Sequence, residues 1–415
     1  MTGGRFFRVD VKKWMNYSCQ QPPKRVFYRI LLLNQLEWDH FYVRTEEGMS
    51  KVYFSDMRAN HTENLFDKIA KLLTLAGLAQ VVAEGDLTAV KIHFGEKGNH
   101  TYLRPVFARR VVEEIKKLGG LPFLTDSSTL YPGQRKEAVS ALTCGIENGF
   151  GYSCVGAPLI ISDGLRGVTE TEVAIDGELL KSTYIGTEIV EADAIIAMTH
   201  FKCHELTGFG GAIKNLGMGC ASRKGKLVQH STVAPKVAAK ACIGCGICPR
   251  SCAHDAIVIT AGKAVIDPRK CTGCSRCITV CPVKAINIQW NEASDLVMRK
   301  MAEYTKGALT GKDGKAIYIN FITQVSPACD CYGHSDAPIV NDIGICASTD
   351  PVAIDQACAD LVNGARGNEG SALQTGHEPG GDKFRGCWPE IPWEVQLEHG
   401  EKIGIGSRVY ELIRV

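Results

Sequence analysis

From Ser50 onward, apolar residues alternate between short strand-like runs and stripes at helical spacing. Residues 51–54 predict a strand. Thr62 then reads as the cap of a helix whose Leu65, Ile69, Leu72, Leu73 and Ala76 share one face, with Gly77 as its stop. Residues 87–94 predict the next strand, and Pro105 starts a helix in which Val106, Val111, Val112, Ile115 and Leu118 recur before Gly119-Gly120. Residues 121–126 predict a third strand, and 133–145 another helix. Buried strands are expected at 159–161 and 194–197, with a hairpin between them near Asp176-Gly177, and a helix over 206–218. The stretch 222–230 is polar. Farther on, the pattern predicts a helix over 293–306, strands at 316–322 and 344–347, and a helix capped by Asp350 with Pro351 at its first position. Strands alternating with amphipathic helices imply βαβ units, hence an α/β fold with a largely parallel sheet and helices on both faces.

Residues 1–48 break this pattern. They mix basic, aromatic and polar residues without a sustained period, and their only apolar run is 30–33. A secretory signal needs a longer apolar region and a small-residue cleavage site. We therefore expect an extension outside the fold, either preceding a biological start at Met49 or native and poorly ordered.

Residues 236–290 carry the densest chemistry. Cys242, Cys245, Cys248 and Cys252 form a C-x2-C-x2-C-x3-C run, repeated by Cys271, Cys274, Cys277 and Cys281. The duplicated run resembles the bacterial two-cluster ferredoxins, in which three thiolates of one run hold a cubane and the fourth serves the other cluster. The resemblance implies two 4Fe-4S clusters. Cys242, Cys245, Cys248 and Cys281 would hold one, and Cys271, Cys274, Cys277 and Cys252 the second. Gly244 and Gly273 occupy matching positions where a tight loop must turn, Pro282 follows the last cysteine, and Ala253 stands where a proline is expected. The repeat tails at 256–259 and 285–288 read as short strands pairing under the clusters. Structural zinc or disulfides would account for paired cysteines, but not for the third cysteine and the duplicated x3 step. The chain thus divides into a first α/β part (49–235), an inserted bacterial-type two-cluster ferredoxin module (236–290) and a second α/β part (291–415). The alternative is two α/β domains flanking the clusters.

Composition narrows the function. The 415 residues are 45% hydrophobic and 22% charged with net charge +2, which argues against a general nucleic-acid binder. No apolar run approaches the roughly 20 residues that span a membrane. Eight of the 18 cysteines lie in the two runs, and the rest show no paired framework. Thiolate clusters need a reducing compartment, so a cytoplasmic protein of anaerobic or microaerobic metabolism is expected.

In open α/β sheets ligands bind beyond the carboxyl ends of the strands, so the segments after strands are the candidates. Four stand out. The first runs from Lys91 through His93 to the turn Gly95-Glu96-Lys97-Gly98, and the second is Thr125-Asp126-Ser127-Ser128-Thr129. The third is Thr199-His200-Phe201-Lys202-Cys203-His204-Glu205, leading into Gly208-Phe209-Gly210-Gly211 and Lys214-Asn215. The fourth is the Asp350 helix start, where a cap is the simpler role. A glycine-rich turn at a helix start offers free N–H groups to an anion, and Lys202 and Lys214 would add charge. Simple packing of helix on sheet would also explain these glycines. Cys329-Asp330-Cys331 with His334 is expected to be a loop with buried thiols rather than a third metal site, and Cys203 and Cys220 are expected to be packed and inert.

The block formed by Lys91 to Glu96, Thr125-Asp126-Ser127, residues 200–219, the eight cysteines and Thr349 to Asp355 resembles the family called domain of unknown function 362, in its iron–sulfur branch. That resemblance covers nearly the whole chain after residue 48 and names no reaction. His204-x3-Gly208-x-Gly210-Gly211-x2-Lys214-x2-Gly217 also resembles the loop of the nickel-pincer lactate racemases, although the proline before the last glycine is absent. By that likeness His204 would ligate nickel and Lys214 would hold a pyridinium cofactor. The leading expectation is an iron–sulfur oxidoreductase or electron-transfer subunit. Lys91, Lys202, Gly208, Gly210 and Gly211 would bind an anionic substrate or cofactor, with His93, His204 and Lys214 as catalytic candidates. Its partners would be a redox protein or a small anionic substrate, without nucleic acid or membrane. A ferredoxin-like carrier without its own reaction and a non-redox isomerase or racemase are the other two readings.

Overall fold

A computed structural model describes residues 49–131, 133–231 and 233–415, so the expected extension over 1–48 lies outside the described residues. The strands follow in chain order: β1 (Ser50–Asp56), β2 (Leu87–Lys91), β3 (Leu121–Asp126), β4 (Leu159–Ile161), β5 (Glu170–Ala174), β6 (Ser182–Gly186) and β7 (Ala194–His200). Then come β8 (Lys202–His204), β9 (Gly208–Gly210), β10 (Lys236–Val237), β11 (Ile257–Thr260), β12 (Lys263–Ile266) and β13 (Ile286–Asn287). The last three are β14 (Ala316–Ile322), β15 (Gly344–Ser348) and β16 (Tyr410–Arg414). Eight of these build one sheet in the order β16-β1-β15-β14-β7-β2-β3-β4. The run from β14 to β4 is parallel throughout, and β15 alone opposes its neighbours.

Both faces are covered, as a parallel sheet requires. Side chains alternate across a strand, so in β7 Ile196 and Met198 join the core beneath helices Leu65–Leu75 and Pro105–Lys117. Ile195 and Ala197 join the opposite core, with Leu216, Met301 and Ile354 from helices Ala212–Gly217, Ser294–Leu309 and Pro351–Gly364. The last of these helices is capped by Asp350, whose Oδ1 accepts the Val352 and Ala353 N–H groups at 2.9 Å each. Its Oδ2 accepts from Ser50 Oγ at 2.6 Å and the Ser407 N–H at 2.8 Å. A lost cap costs about 1 kcal/mol, up to ~2. Asp350→Ala should lower stability by at least that amount in urea unfolding, because the same carboxylate also ties down both ends of the described chain.

The sequence pattern misplaced several elements. The helix beginning at Leu65 is capped by Asn64 rather than Thr62, with the Asp67 side chain closing the box. The expected helix over 133–145 begins only at Ala138. The segment expected as one helix over 206–218 is instead the β8–β9 hairpin followed by the short helix Ala212–Gly217. The polar stretch after residue 221 is a helix, Arg223–His230, whose cap is Ser222 accepting the Gly225 N–H. Arg223, Lys226 and Gln229 lie buried within it, so its polarity hid a packed element.

Residues 236–288 have a small core of their own, built on Cys242, Cys248, Ile257, Ala264, Ile278 and Ile286. Here β10 pairs with β13 and β11 with β12, so the two repeat tails pair with local partners rather than with each other. Ser231 Oγ bonds to Asn291 Oδ1 at 2.9 Å, and Gln289 Nε2 bonds to the Ala234 carbonyl at 2.9 Å, bringing the two ends of the segment together. The chain then rejoins the same sheet through β14 beside β7. No helix among the described residues is long and apolar enough to cross a membrane.

Candidate functional site

Gly244 and Gly273, with φ of 65° and 75°, turn the two cysteine loops. Cys242, Cys245, Cys248 and Cys281 line one small cavity, walled by Ile247 and Ile286. The Ala264 N–H points at Cys242 Sγ at 3.4 Å and the Ala285 N–H at Cys281 Sγ at 3.2 Å. Burial raises the Cys248 thiol, and Cys242, Cys245 and Cys281 add to it. The other four form a second neighbourhood. Burial pushes Cys277 up to about 12, reinforced by Cys274, Cys271, Cys248 and Cys252. Both groups offer the thiol donors an anionic cubane takes, and the first adds N–H donors and apolar walls. Among the described residues, no group of three or more His, Cys, Asp or Glu side chains forms a site for a metal ion.

A helix joins this segment to the sheet. Leu227, on helix Arg223–His230, lies close enough to Gly273 that a Cβ there would meet its Cδ2 at 3.3 Å. Arg223, at the start of the helix, is buried with Nε unpartnered and has Cys274 and Cys277 among the charges acting on it. The last residue of the helix, His230, has a buried, unpartnered Nδ1 and is pushed down to about 3 by burial and by the nearby Lys214 and His204.

At the carboxyl ends of β2, β3, β7 and β14, charged groups pack in two linked sets. In the first, Lys91 Nζ lies 3.0 Å from Asp126 Oδ1 and 2.8 Å from Asn215 Oδ1, while Arg135 Nη1 bonds to Asp126 Oδ2 at 3.0 Å. His93 accepts the Gly95 N–H on Nδ1 at 3.0 Å, and burial followed by Arg135 pushes it down to about 3, so it is neutral. In the second, Asp330 Oδ2 meets His200 Nδ1 at 2.8 Å and Lys202 Nζ at 3.2 Å. Burial opposes ionisation of Asp330, yet His200 and Lys202 hold it well below the usual carboxylate range.

Cys329 meets Lys214, which also acts on His230 at the end of the bridging helix. Lys214 Nζ is 3.7 Å from its Sγ, and the Cys331 N–H donates to that sulfur at 3.4 Å. The Cys331 thiol, then Lys214 and His204, hold Cys329 well below an ordinary thiol despite burial. Burial presses Lys214 down, but Cys329, Cys331 and Glu205 outweigh it. His204 accepts the Leu206 N–H on Nδ1 at 3.1 Å, which leaves its proton on Nε2.

At the glycine segment the helix-start N–H groups expected to meet an anion are already bonded within the protein. The Ala212 and Ile213 N–H groups donate to buried Asp355 at 2.7 and 2.9 Å, and a Cβ on Gly211 would strike the same carboxylate. Gly208 and Gly210 lie in β9. This helix start is therefore closed by the protein itself. Lys91 and Lys202 are likewise committed to Asp126 and Asp330. Of the predicted residues, His204 and Lys214 meet at one thiol, and His93 is also close enough to act on Asp330. The expected loop of buried thiols is seen, with Cys329 buried and Cys331 partly so, but its neighbours Lys214 and His204 were not foreseen. A C-x-C shortly after a strand of the parallel sheet was the available signal.

Asp126 yields a pH test. Burial would raise it, but Lys91, His93, Arg135 and Lys226 bring it down to about 2. Its folded pKa lies below the unfolded value. Its contribution to stability is therefore full above about pH 4 and lost as pH falls through about 2. Urea midpoints should fall over this window, and Asp126→Asn should flatten that part of the profile.

A family profile described as "Domain of unknown function (DUF362)" matches residues 88–360. The chain belongs to this family. Ferredoxin-like and related proteins match shorter stretches. "Ferredoxin-like protein in nif region" of Sinorhizobium fredii is 41% identical over 54 residues, which are 12% of this chain and 84% of that protein. A component of the ion-translocating oxidoreductase complex of Methanosarcina acetivorans is 46% identical over 48 residues, 12% of this chain. The chain spans only 18% of that relative. Among solved structures, the lactate racemase apoprotein of Thermoanaerobacterium thermosaccharolyticum is similar with a TM-score of 0.34 at 12% identity, covering 69% of this chain and 54% of that one. This DUF362 protein thus carries a ferredoxin-type iron–sulfur segment of the electron-carrier kind.

Proposed function

We propose that this DUF362 protein is an iron–sulfur oxidoreductase in which two 4Fe-4S clusters relay single electrons to a site built by His204, Lys214 and Cys329. Cys242, Cys245, Cys248 and Cys281 would hold the outer cluster, and Cys271, Cys274, Cys277 and Cys252 the inner one. Cys245 is exposed, and Ile243 and Val283 beside it are exposed too, which favours this end for docking a redox partner protein. When bound, the clusters supply one-electron transfer at potentials that the thiol surroundings set.

The observation carrying this reading is the helix Arg223–His230. It packs Leu227 on the Cys271–Cys274 loop and ends three residues later at His230, about 4.5 Å farther along the helix axis. His230 in turn sits among Lys214 and His204. The Cys271 group would thus be joined to the site by one helix whose Lys226, Leu227 and Gln229 are buried from water. At the site, neutral His93 and the Nε2 proton of His204 are available for proton transfer.

The test is anaerobic preparation of the full chain, with iron and sulfide analysis and mass spectrometry of any compound released on denaturation. His204→Ala and Lys214→Ala should each keep both clusters and lose turnover or the bound compound. A carrier without its own site would deliver electrons to its partner undiminished in both variants.

A further inference from the structure

Cys329 and Cys331 belong to neither four-thiol group, and the cluster relay does not itself require them. They follow β14 at the carboxyl end of the parallel strands, in the row that also delivers His93 and His204. Asp330 between them is fully buried and fixed by His200, Lys202 and the Thr101 hydroxyl, 3.2 Å from its Oδ1. Its carbonyl accepts the Glu96 N–H at 3.0 Å, so both thiols are displayed from a pinned backbone. The Cys331 N–H donates to Cys329 Sγ at 3.4 Å, and Lys214 Nζ stands 3.7 Å from the same sulfur, with His204 beside it. Two other buried thiol pairs, Cys203 with Cys387 and Cys346 with Cys358, have no cation among the groups acting on them. Only the Cys329 pair, among these three, combines proximity with a charge that favours thiolate.

We propose that Cys329 and Cys331 are a redox-active dithiol that collects, as a pair, the electrons the two clusters deliver singly. This rests on the electron relay proposed above. In the reducing direction the sulfur–sulfur bond would break on taking up two electrons, one by way of each cluster that the eight cysteines would hold, and Cys331 would take one proton from solvent. Cys329 is released as a thiolate against the Lys214 ammonium. Two electrons and one proton thus convert a disulfide into a thiolate and a thiol. In the second half, the Cys329 thiolate attacks a disulfide substrate and expels one substrate thiolate. Cys331 then resolves the mixed disulfide, releasing the second substrate sulfur with its proton and restoring the starting bond. The substrate class is a disulfide, and the protein supplies nucleophile, resolving thiol and neighbouring cation.

The experiment uses the full chain with its clusters, counted first by iron and by the EPR signal after reduction. The reoxidised protein is treated with a stoichiometric thiol oxidant, and residual thiols are alkylated for peptide mass spectrometry. Dithionite is then added in measured equivalents. The expected result is an internal disulfide in the peptide spanning 329–331, and a lag of about two electron equivalents per chain before the reduced-cluster signal appears. Cys331→Ser should abolish the lag while keeping the iron count. Wild-type protein with intact clusters and no lag overturns the dithiol proposal alone, as does stoichiometric nickel or zinc held by these thiols. Absence of iron overturns the relay and the dithiol proposal together.

Discussion

Cys274→Ala should leave the protein with about half its iron and sever the relay, because Cys274 belongs to the four-thiol group nearest the bridging helix. The outer group, Cys242, Cys245, Cys248 and Cys281, has its own cavity and its own N–H donors, so its cluster should persist and remain reducible by an external donor. Reduction at Cys329 should nevertheless stop. Cys245→Ala produces the converse pattern: the inner cluster remains, and electron uptake from a protein donor is lost first. Iron analysis with EPR of each variant separates the two. Equal loss of both clusters from either variant would show that the segment folds only when fully loaded.

Asp330→Ala carries the largest expected stability effect. The carboxylate is wholly buried and balances Lys202 while holding His200 at 2.8 Å, and removing it leaves that charge without compensation. Breaking one partner out of a buried ion pair costs about 3–5 kcal/mol. Asp330→Asn should cost less, since an amide keeps an acceptor for His200 while losing the charge. Urea unfolding of the two variants measures the difference. Cys329, beside Lys214, should be alkylated at a pH below the usual thiol range; because Asp330 also fixes the backbone between Cys329 and Cys331, both variants should lose this, as should Lys214→Met. Unchanged reactivity in Lys214→Met would remove that lysine from the thiolate's support.

The parts legible from sequence are those with local causes. Cysteine spacing marks the ferredoxin-type segment because three thiols of one loop must converge on one point. The strands β2, β3, β7 and β14 show as apolar runs because both of their faces are covered. What stayed hidden depends on partners distant in the chain. Asp355 occupies the Ala212 N–H from 143 residues away, turning an apparent anion site into an internal cap. Lys214 reaches Cys329 across 115 residues, so the C-x-C marks a candidate thiol pair but not the cation beside it. The helix Arg223–His230 was hidden differently. Arg223, Lys226 and Gln229 are buried polar side chains, which erases the apolar stripe by which a helix is recognised.

The measurement closest to the central claim is iron and sulfide content of the anaerobically purified full chain, followed by EPR after dithionite reduction. The account predicts about eight irons per chain, four for each cubane, and a spin-coupled signal from two neighbouring reduced clusters. Zinc in place of iron, or a chain without iron, would contradict it.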